Sequence, residues 1–396
     1  MHILVLNPGS SSIKFTMFAE GKLGADDLTP LYDGELSGIG TALAKLEFRD
    51  ASGKDLSAAV GEVKASSMNE AIGAFERAIA LPGLPKADAV GYRVVHPGAH
   101  LRGHQLVTPE VLAELKQAEA FAPLHDPEAV QMIEEMMRRQ PGVPRYACFD
   151  TVFHETMPPE AWVYPLPTQL RAEGVRRYGF HGLSCESVVA QMRATPGVDL
   201  PHSMLIAHLG SGCSVTACID GKSVDTTMGL TPTGGVVMGT RPGDLDPGLI
   251  LYLLRRPGAT LASVEAMLNR DSGLKALGGV NDMRALRAAQ DKDPKVRLAL
   301  EIFTRSLIKT IAGLAAIHSP TAIVFTGGIG ENDPETRAAV ARGLSAFRAE
   351  IDPAANEPSA SGLRKISPLA SAIALYVVPA QEDLTIARHV ARMYRL

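Results

Sequence analysis

Several short stretches of this chain have residue types and spacing suited to anion chemistry. Asn7-Pro8-Gly9-Ser10-Ser11-Ser12-Ile13-Lys14 puts a glycine and three hydroxyls in one turn. Backbone N–H and O–H donors there are free to face an anion, and Lys14 adds charge. The stretch Ile206 to Ala217 repeats the form, with His208 opposite Asn7 and Gly210-Ser211 opposite Gly9-Ser10. Gly327-Gly328-Ile329-Gly330 follows the apolar run Ala322-Ile323-Val324-Phe325 and would let a flat, bulky group such as a base and ribose lie against backbone. A tight strand-to-helix turn would need the same glycines. Neither G-x-x-x-x-G-K-[ST] nor G-x-G-x-x-G occurs, so these turns are not of the Walker or dinucleotide type.

Charged and titratable residues gather at comparable places. Arg93 and Arg241 stand at a strand end and in a glycine-containing loop, and a guanidinium offers carboxylate and phosphate a planar fork. A structural ion pair is the other use of such an arginine. His181 lies between Phe180 and Gly182, where it could donate to developing phosphoryl charge or simply be a satisfied buried histidine. His125 precedes a helix start, itself attractive to anions, and Asp126 suits an N-cap. Asp150 and Glu382, each just past an apolar run, are candidates for holding Mg²⁺ directly or through water, or for capping a strand end.

The elements that must carry these residues read as alternating strands and helices. Ile3-Leu4-Val5-Leu6 and Ile13 to Phe18 make a hairpin around the first turn, and the repeat at 206–217 makes a second. Ser67-x-x-Glu70 is a capping box for a helix that ends before Pro82-Gly83. Ala87 to Val95 is a strand, Thr108-Pro109 and Asp126-Pro127 open helices, and Arg145 to Phe149 is a strand ending on Asp150. Asp293-Pro294 opens a long helix with Val296, Leu300, Phe303, Leu307, Ile311 and Leu314 on its apolar face. The strands Ala322 to Phe325 and Leu375 to Val378 follow, and Leu384 to Leu396 is an amphipathic helix expected to pack on the first lobe. The spacing predicts an α/β fold of two similar lobes: 1–150 plus about 384–396, and 151–383.

Composition sets the class. The 396 residues are 46% hydrophobic, enough for two cored domains and against disorder. The net charge of −4 gives no general attraction to nucleic acid or membrane. No apolar run approaches the ~18 residues of a membrane span. The opening residues lack the charged-then-apolar form of a secretory signal. Cys148, Cys185, Cys213 and Cys218 show no C-x-x-C spacing and are expected as reduced thiols, in a cytoplasmic enzyme.

Taken together, Asn7 to Lys14, Tyr92-Arg93-Val94-Val95-His96, Ala122-Pro123-Leu124-His125, Phe149-Asp150-Thr151, Arg177 to Gly182, His208-Leu209-Gly210, Gly221 to Thr226, Met238-Gly239-Thr240-Arg241 and Gly328 to Asn332 resemble the acetate kinase family. That family lies within the acetate and sugar kinase, Hsp70 and actin superfamily, and the resemblance runs from Leu4 to Arg388. It implies two duplicated actin-like (ribonuclease H-like) lobes with a nucleotide-binding cleft between them, usually as a homodimer. It implies Mg²⁺- (or Mn²⁺-) dependent, reversible, in-line transfer of the ATP γ-phosphate to acetate, giving acetyl phosphate and ADP.

By the same resemblance, Asn7 and Glu382 hold the metal, Lys14 the ATP phosphates, and Arg93 with His125 the carboxylate. Asp150, His181 and Arg241 are the catalytic set. Val95, Leu124, Phe180 and Pro232 line a methyl pocket. His208, Leu209, Gly210, Ser211, Gly212, Asp282, Met283, Arg284, Gly328, Ile329, Gly330, Glu331 and Asn332 surround the nucleotide. The chain departs from the family pattern at Pro97 (usually Gly), Asp126 (usually Asn), Cys185 (usually His), Pro242 (usually Ser) and Gln381-Glu382-Asp383 (usually Asn-Glu-Glu). Competing readings are a propionate or butyrate kinase, a pyrophosphate-using enzyme, and a nucleotide-gated binding protein on the same fold.

Overall fold

The computed structural model describes residues 1–9, 11–119, 121, 126–357 and 362–396. Of the residues singled out above, Ser10, Leu124 and His125 lie outside them. The chain divides into two compact units, Met1–Val152 with Gln381–Leu396, and Phe153–Ala380.

The first unit is built on seven strands: β1 (His2–Pro8), β2 (Ser12–Glu20), β3 (Leu28–Ser37), β4 (Lys45–Asp50), β5 (Ala89–Val94), β6 (Gln105–Leu106) and β7 (Arg145–Phe149). Their order is β4-β3-β2-β1-β5-β7-β6. β1 to β4 form an antiparallel meander, while β5 runs parallel to β1 and β7 parallel to β5. β1 is a continuous apolar run, Ile3 to Leu6 all buried, as a strand covered on both faces must be. Phe15 anchors the core on one face, its ring 5.1 Å from that of Phe75 and 5.4 Å from that of Phe48. Burial of each such ring is worth about 1.5–3 kcal/mol.

Helix Met68–Ile79 is capped by the Ser67 hydroxyl, which accepts the Glu70 N–H. The expected reciprocal box is displaced by one residue, because the Glu70 carboxylate accepts from the N–H and hydroxyl of Ser66. Thr108 caps Pro109–Ala118 by accepting the Val111 N–H.

The C-terminal helix Glu382–Met393 belongs to this unit. It lies so close to β5 that a Cβ on Gly91 would come 2.7 Å from both Ile386 and Val390, so only glycine fits there. The chain rejoins the first unit at Gln381. There Glu382 pairs with Arg93 and Asp383 accepts a hydrogen bond from Thr16.

The second unit is built on β8 (Ser203–Leu209), β9 (Cys213–Ile219), β10 (Lys222–Thr226), β11 (Ala322–Thr326), β12 (Arg364–Lys365) and β13 (Ala374–Val377), in the order β10-β9-β8-β11-β13-β12. β8, β9 and β10 are antiparallel, and β11 is parallel to both β8 and β13. This reproduces the β3-β2-β1-β5-β7 arrangement of the first unit, so the sequence repeat is a duplicated fold. Helix Pro294–His318, capped by Asp293, buries Val296, Leu300, Phe303, Leu307, Ile311 and Leu314 on the face its periodicity sets. After β11 the chain turns on Gly327 (φ 76°) directly into helix Gly327–Asn332, so the glycine-rich stretch is helical. Among the described residues, no helix is long and apolar enough to cross a membrane.

Candidate active site

In the first unit the site follows from strand register. β1, β5 and β7 are adjacent and parallel, with Leu6 opposite Tyr92 and Arg93 opposite Cys148. Their C-terminal ends therefore emerge together and bring Asn7, Arg93 and Asp150 side by side. Open α/β sheets bind ligands at this edge. Arg93 is the hub. Its Nε and Nη2 donate to the two oxygens of Asp150 at 3.0 and 2.5 Å. Its Nη1 reaches Asn7 Oδ1 at 3.4 Å, and its Nε lies 3.7 Å from Glu382 Oε2.

Burial disfavours the Arg93 charge, but Asp150, Glu382 and Asp383 outweigh it and raise the pKa, so the guanidinium stays charged. Asp150 is 1% exposed. Asp383 is raised first by its own burial, then lowered by the Thr16 hydroxyl.

Asp150, Glu382 and Asp383 all act on Arg93. The donor set of Asn7 amide oxygen and Glu382 carboxylate, beside Asp150, is all oxygen and net negative, which suits a hard divalent cation. Lys14 sits opposite Asn7 across the hairpin and 3.8 Å from Glu35. Lys14, Thr16, Glu35 and Asp383 line a pocket of about 220 Å³. Val95 is half-buried, and its N–H is bonded to Asp126.

In the second unit a different set converges on the Gly210–Gly212 turn between β8 and β9. His181 takes a left-handed backbone (φ 57°) just ahead of helix Gly182–Ala194. Its Nδ1 is hydrogen-bonded to Ser214 Oγ at 2.9 Å. His208, at the end of β8, pairs through Nδ1 with Ser184 Oγ at 2.8 Å. The two imidazoles stack with centroids 4.1 Å apart and planes at 21°.

These serine contacts leave the Nε2 atoms toward the turn. A Cβ on Gly212 would come 2.8 Å from Arg241 Nη2 and 3.0 Å from His181 Nε2. One on Gly327 would come 3.2 Å from His208 Nε2. Arg241 is held by the Pro232 carbonyl at 2.6 Å, and its loop by Gly239 N–H donating to Ser211 O at 3.2 Å. Phe180 is buried, and its carbonyl is bound to His154 Nε2 at 3.0 Å. Cys213 is buried below the turn, which pushes its thiol up to about 12.

The remaining second-unit residues stand on two helix starts. Asp282 caps Met283–Ala289 by accepting the Ala285 N–H at 2.9 Å, a bond that lowers its pKa. Met283 is buried while Arg284 is exposed. Asn332 donates to Gly328 O at 2.9 Å, and Glu331 accepts the Ala380 N–H at 3.0 Å.

Sequence reasoning passed over Ser184, Ser214 and Arg337, and saw Asp126 only as a helix cap. Ser184 and Ser214 orient the two histidines. Asp126 grips the backbone after Arg93. Arg337, wholly buried, donates to the carbonyls of Gly330 and Glu331 at 2.8 Å each. A serine three residues after His181 was the one usable hint. The rest depend on tertiary pairing.

The model of the acetokinase family matches residues 2–388. An acetate kinase of Micrococcus luteus is 41% identical, over 98% of this chain and 98% of its own length. Among solved structures, the acetate kinase of Porphyromonas gingivalis superposes with a TM-score of 0.86 at 30% identity, covering 99% of each chain. A propionate kinase from Francisella tularensis subsp. tularensis superposes with a TM-score of 0.88 at 34% identity, again covering 99% of each.

Proposed function

The chain belongs to the acetokinase family, and from that premise we propose that it transfers the ATP γ-phosphate to acetate, reversibly and by direct in-line displacement, giving acetyl phosphate and ADP. The observation that carries this reading is Arg93, charged and set among Asn7, Asp150 and Glu382 at one sheet edge.

The acceptor is a carboxylate, ionised at neutral pH, so no group need remove a proton from it. The obstacle is charge. An acceptor oxygen and a phosphoryl oxygen ~4 Å apart repel by roughly 4 kcal/mol at an effective dielectric of about 20. Arg93 binds the carboxylate, and Asp150, bonded through both oxygens, fixes the plane of the guanidinium. Arg241 and His181, whose Nη2 and Nε2 lie at the Gly212 turn, would stabilise the charge that grows on the equatorial oxygens. Lys14 neutralises phosphate charge. Mg²⁺, held by Asn7 and Glu382, would supply further positive charge to the phosphate oxygens. The 208–212 turn and the Gly328–Asn332 helix receive the nucleotide, with Asp282 to Arg284 beside the adenosine.

Acetate offers little apolar surface, about 0.8 kcal/mol for a CH₂-sized group, so binding rests on Arg93. One added methylene changes discrimination by only ~1–3 kcal/mol. The likeness to a propionate kinase keeps that acid as the alternative substrate. The test is kcat/KM for acetate, propionate and butyrate with Mg-ATP. Acetate should lead, and a preference for propionate would reassign the acyl group. Transfer from a chiral γ-phosphate should invert configuration, and retention would overturn the single displacement.

The reading extends to a homodimer in the cytoplasm. None of the four cysteines is in a disulfide, in keeping with a reducing compartment. Helix Pro247–Leu254 is apolar with none of its residues buried, Leu251 being 53% and Tyr252 62% exposed, a surface suited to a second copy of the chain. Leu251→Glu should yield monomer in sedimentation, and an unchanged mass would move the contact elsewhere.

A further inference from the structure

Asp126 opens helix Asp126–Arg139 and is completely buried. Its Oδ1 accepts two backbone hydrogen bonds, from the N–H of Val95 at 3.1 Å and of His96 at 3.2 Å. Its Oδ2 is buried and, among the described residues, has no hydrogen-bond partner. These contacts fall directly after the strand that carries Arg93, on the backbone of Val95, which the reading above sets beside the substrate methyl. A carboxyl with one oxygen gripping this backbone and the other buried without a hydrogen-bond partner among the described residues is not an ordinary helix cap.

The groups around it do not favour a second negative charge. Asp150 and Glu119 are the acids that act on it. His96 turns its Nδ1 to accept the Gly98 N–H at 2.9 Å, and its ring stacks on Phe121. Glu128 shares the first turn of the helix. Two influences oppose them: the N–H groups of His96 and Val95, and the positive end of the helix. Burial is the larger, and the carboxyl is pushed up to about 8.

We propose that Asp126 is a positioning residue for the carboxylate substrate: as a neutral acid it clamps the Val95 and His96 N–H groups behind Arg93, and its ionisation withdraws acetate binding as pH rises. The proposal rests on the reading of Arg93 as the carboxylate's ligand. The step is the loss of one proton from Oδ2 to solvent. It leaves a buried anion close to Asp150, which competes with acetate for the positive charge of Arg93. An asparagine here would offer the same acceptor oxygen and carry no proton to lose. In this chain the clamp is kept and a titration is added.

Acetate is ionised throughout pH 7–9.5, so its own protonation does not interfere. The experiment is acetate KM, ATP KM and kcat between those limits for the unaltered chain, Asp126→Asn and Asp126→Ala. If only the neutral form binds acetate, apparent affinity falls with its fraction, so acetate KM should rise about tenfold from pH 7 to pH 9. ATP KM should not follow it. Asp126→Asn should hold acetate KM level over the same range, and Asp126→Ala should raise it at every pH. An acetate KM of the unaltered chain that is flat to pH 9, or one that climbs equally in Asp126→Asn, overturns the proposal. Failure of the underlying reading has a separate signature, an acetate KM unmoved by Arg93→Ala.

Discussion

The Arg93–Asp150 pair permits a prediction in which stability and activity separate. Its two bonds, at 3.0 and 2.5 Å, join an arginine side chain 20% exposed to an aspartate side chain 2% exposed. Removing one partner of a buried pair leaves the other charge desolvated and costs about 3–5 kcal/mol. The two deletions should not be equal. Arg93→Ala strips both bonds from the more deeply buried Asp150. Asp150→Ala leaves Arg93 partly solvated, with Asn7 and Glu382 still at hand. Arg93→Ala should therefore lie near the upper end of that range and Asp150→Ala near the lower. The double variant leaves neither Arg93 nor Asp150 without the other, although Glu382 still loses its partner, so it should fall short of the sum by roughly 1–3 kcal/mol, the coupling expected of residues in contact. Denaturant midpoints followed by circular dichroism measure the stabilities, and ATP turnover with saturating acetate measures function. Stability should return in part in the double variant while turnover stays at least ~10²-fold down, the loss typical of a deleted electrostatic group. Strict additivity, or recovery of activity along with stability, would refute the account of this pair.

Gly212→Ala should lower turnover with little change in melting temperature, because its Cβ would meet Arg241 Nη2 at 2.8 Å and His181 Nε2 at 3.0 Å, both side-chain ends that can give way; normal kcat would show that these groups need not converge there. Acid stability is set in part by two histidines. Burial lowers His154 to about 4, and burial followed by His389 lowers His104 to about 3. Both folded values lie below the unfolded ~6.5, so the neutral forms are favoured by folding. Stability is then full above pH 6.5 and declines as pH falls toward those values, by about 2 kcal/mol for each histidine at pH 5. His104→Gln should flatten the decline between pH 6.5 and 4, and an unchanged slope would count against the assignment.

Much of this architecture was legible because local chemistry and tertiary outcome agree. The hairpin turn at Asn7 to Lys14, its echo at His208, and the caps Thr108 and Asp293 are local patterns, and each appears where its pattern implies. The Arg93–Asp150 bond was not legible. It needs β5 and β7 to pair in parallel across two intervening helices, and no spacing in the chain encodes that register. The stacking of His181 on His208 likewise depends on Ser214, on β9, and Ser184, on the helix after His181. The Gly327–Asn332 helix reads as a loop because glycine lowers helix propensity, and packing prevails over that preference. Nor was the pairing of Glu382 with Arg93, its partner far away in sequence, legible. The site residue types were readable, then, and their pairings were not.

The most direct test of the central claim is to incubate the purified chain with Mg-ATP and acetate and trap the product with hydroxylamine. The account predicts acetohydroxamate in step with ADP, abolished when acetate is omitted. A folded chain that binds ATP yet yields no hydroxamate from acetate, propionate or butyrate would contradict it.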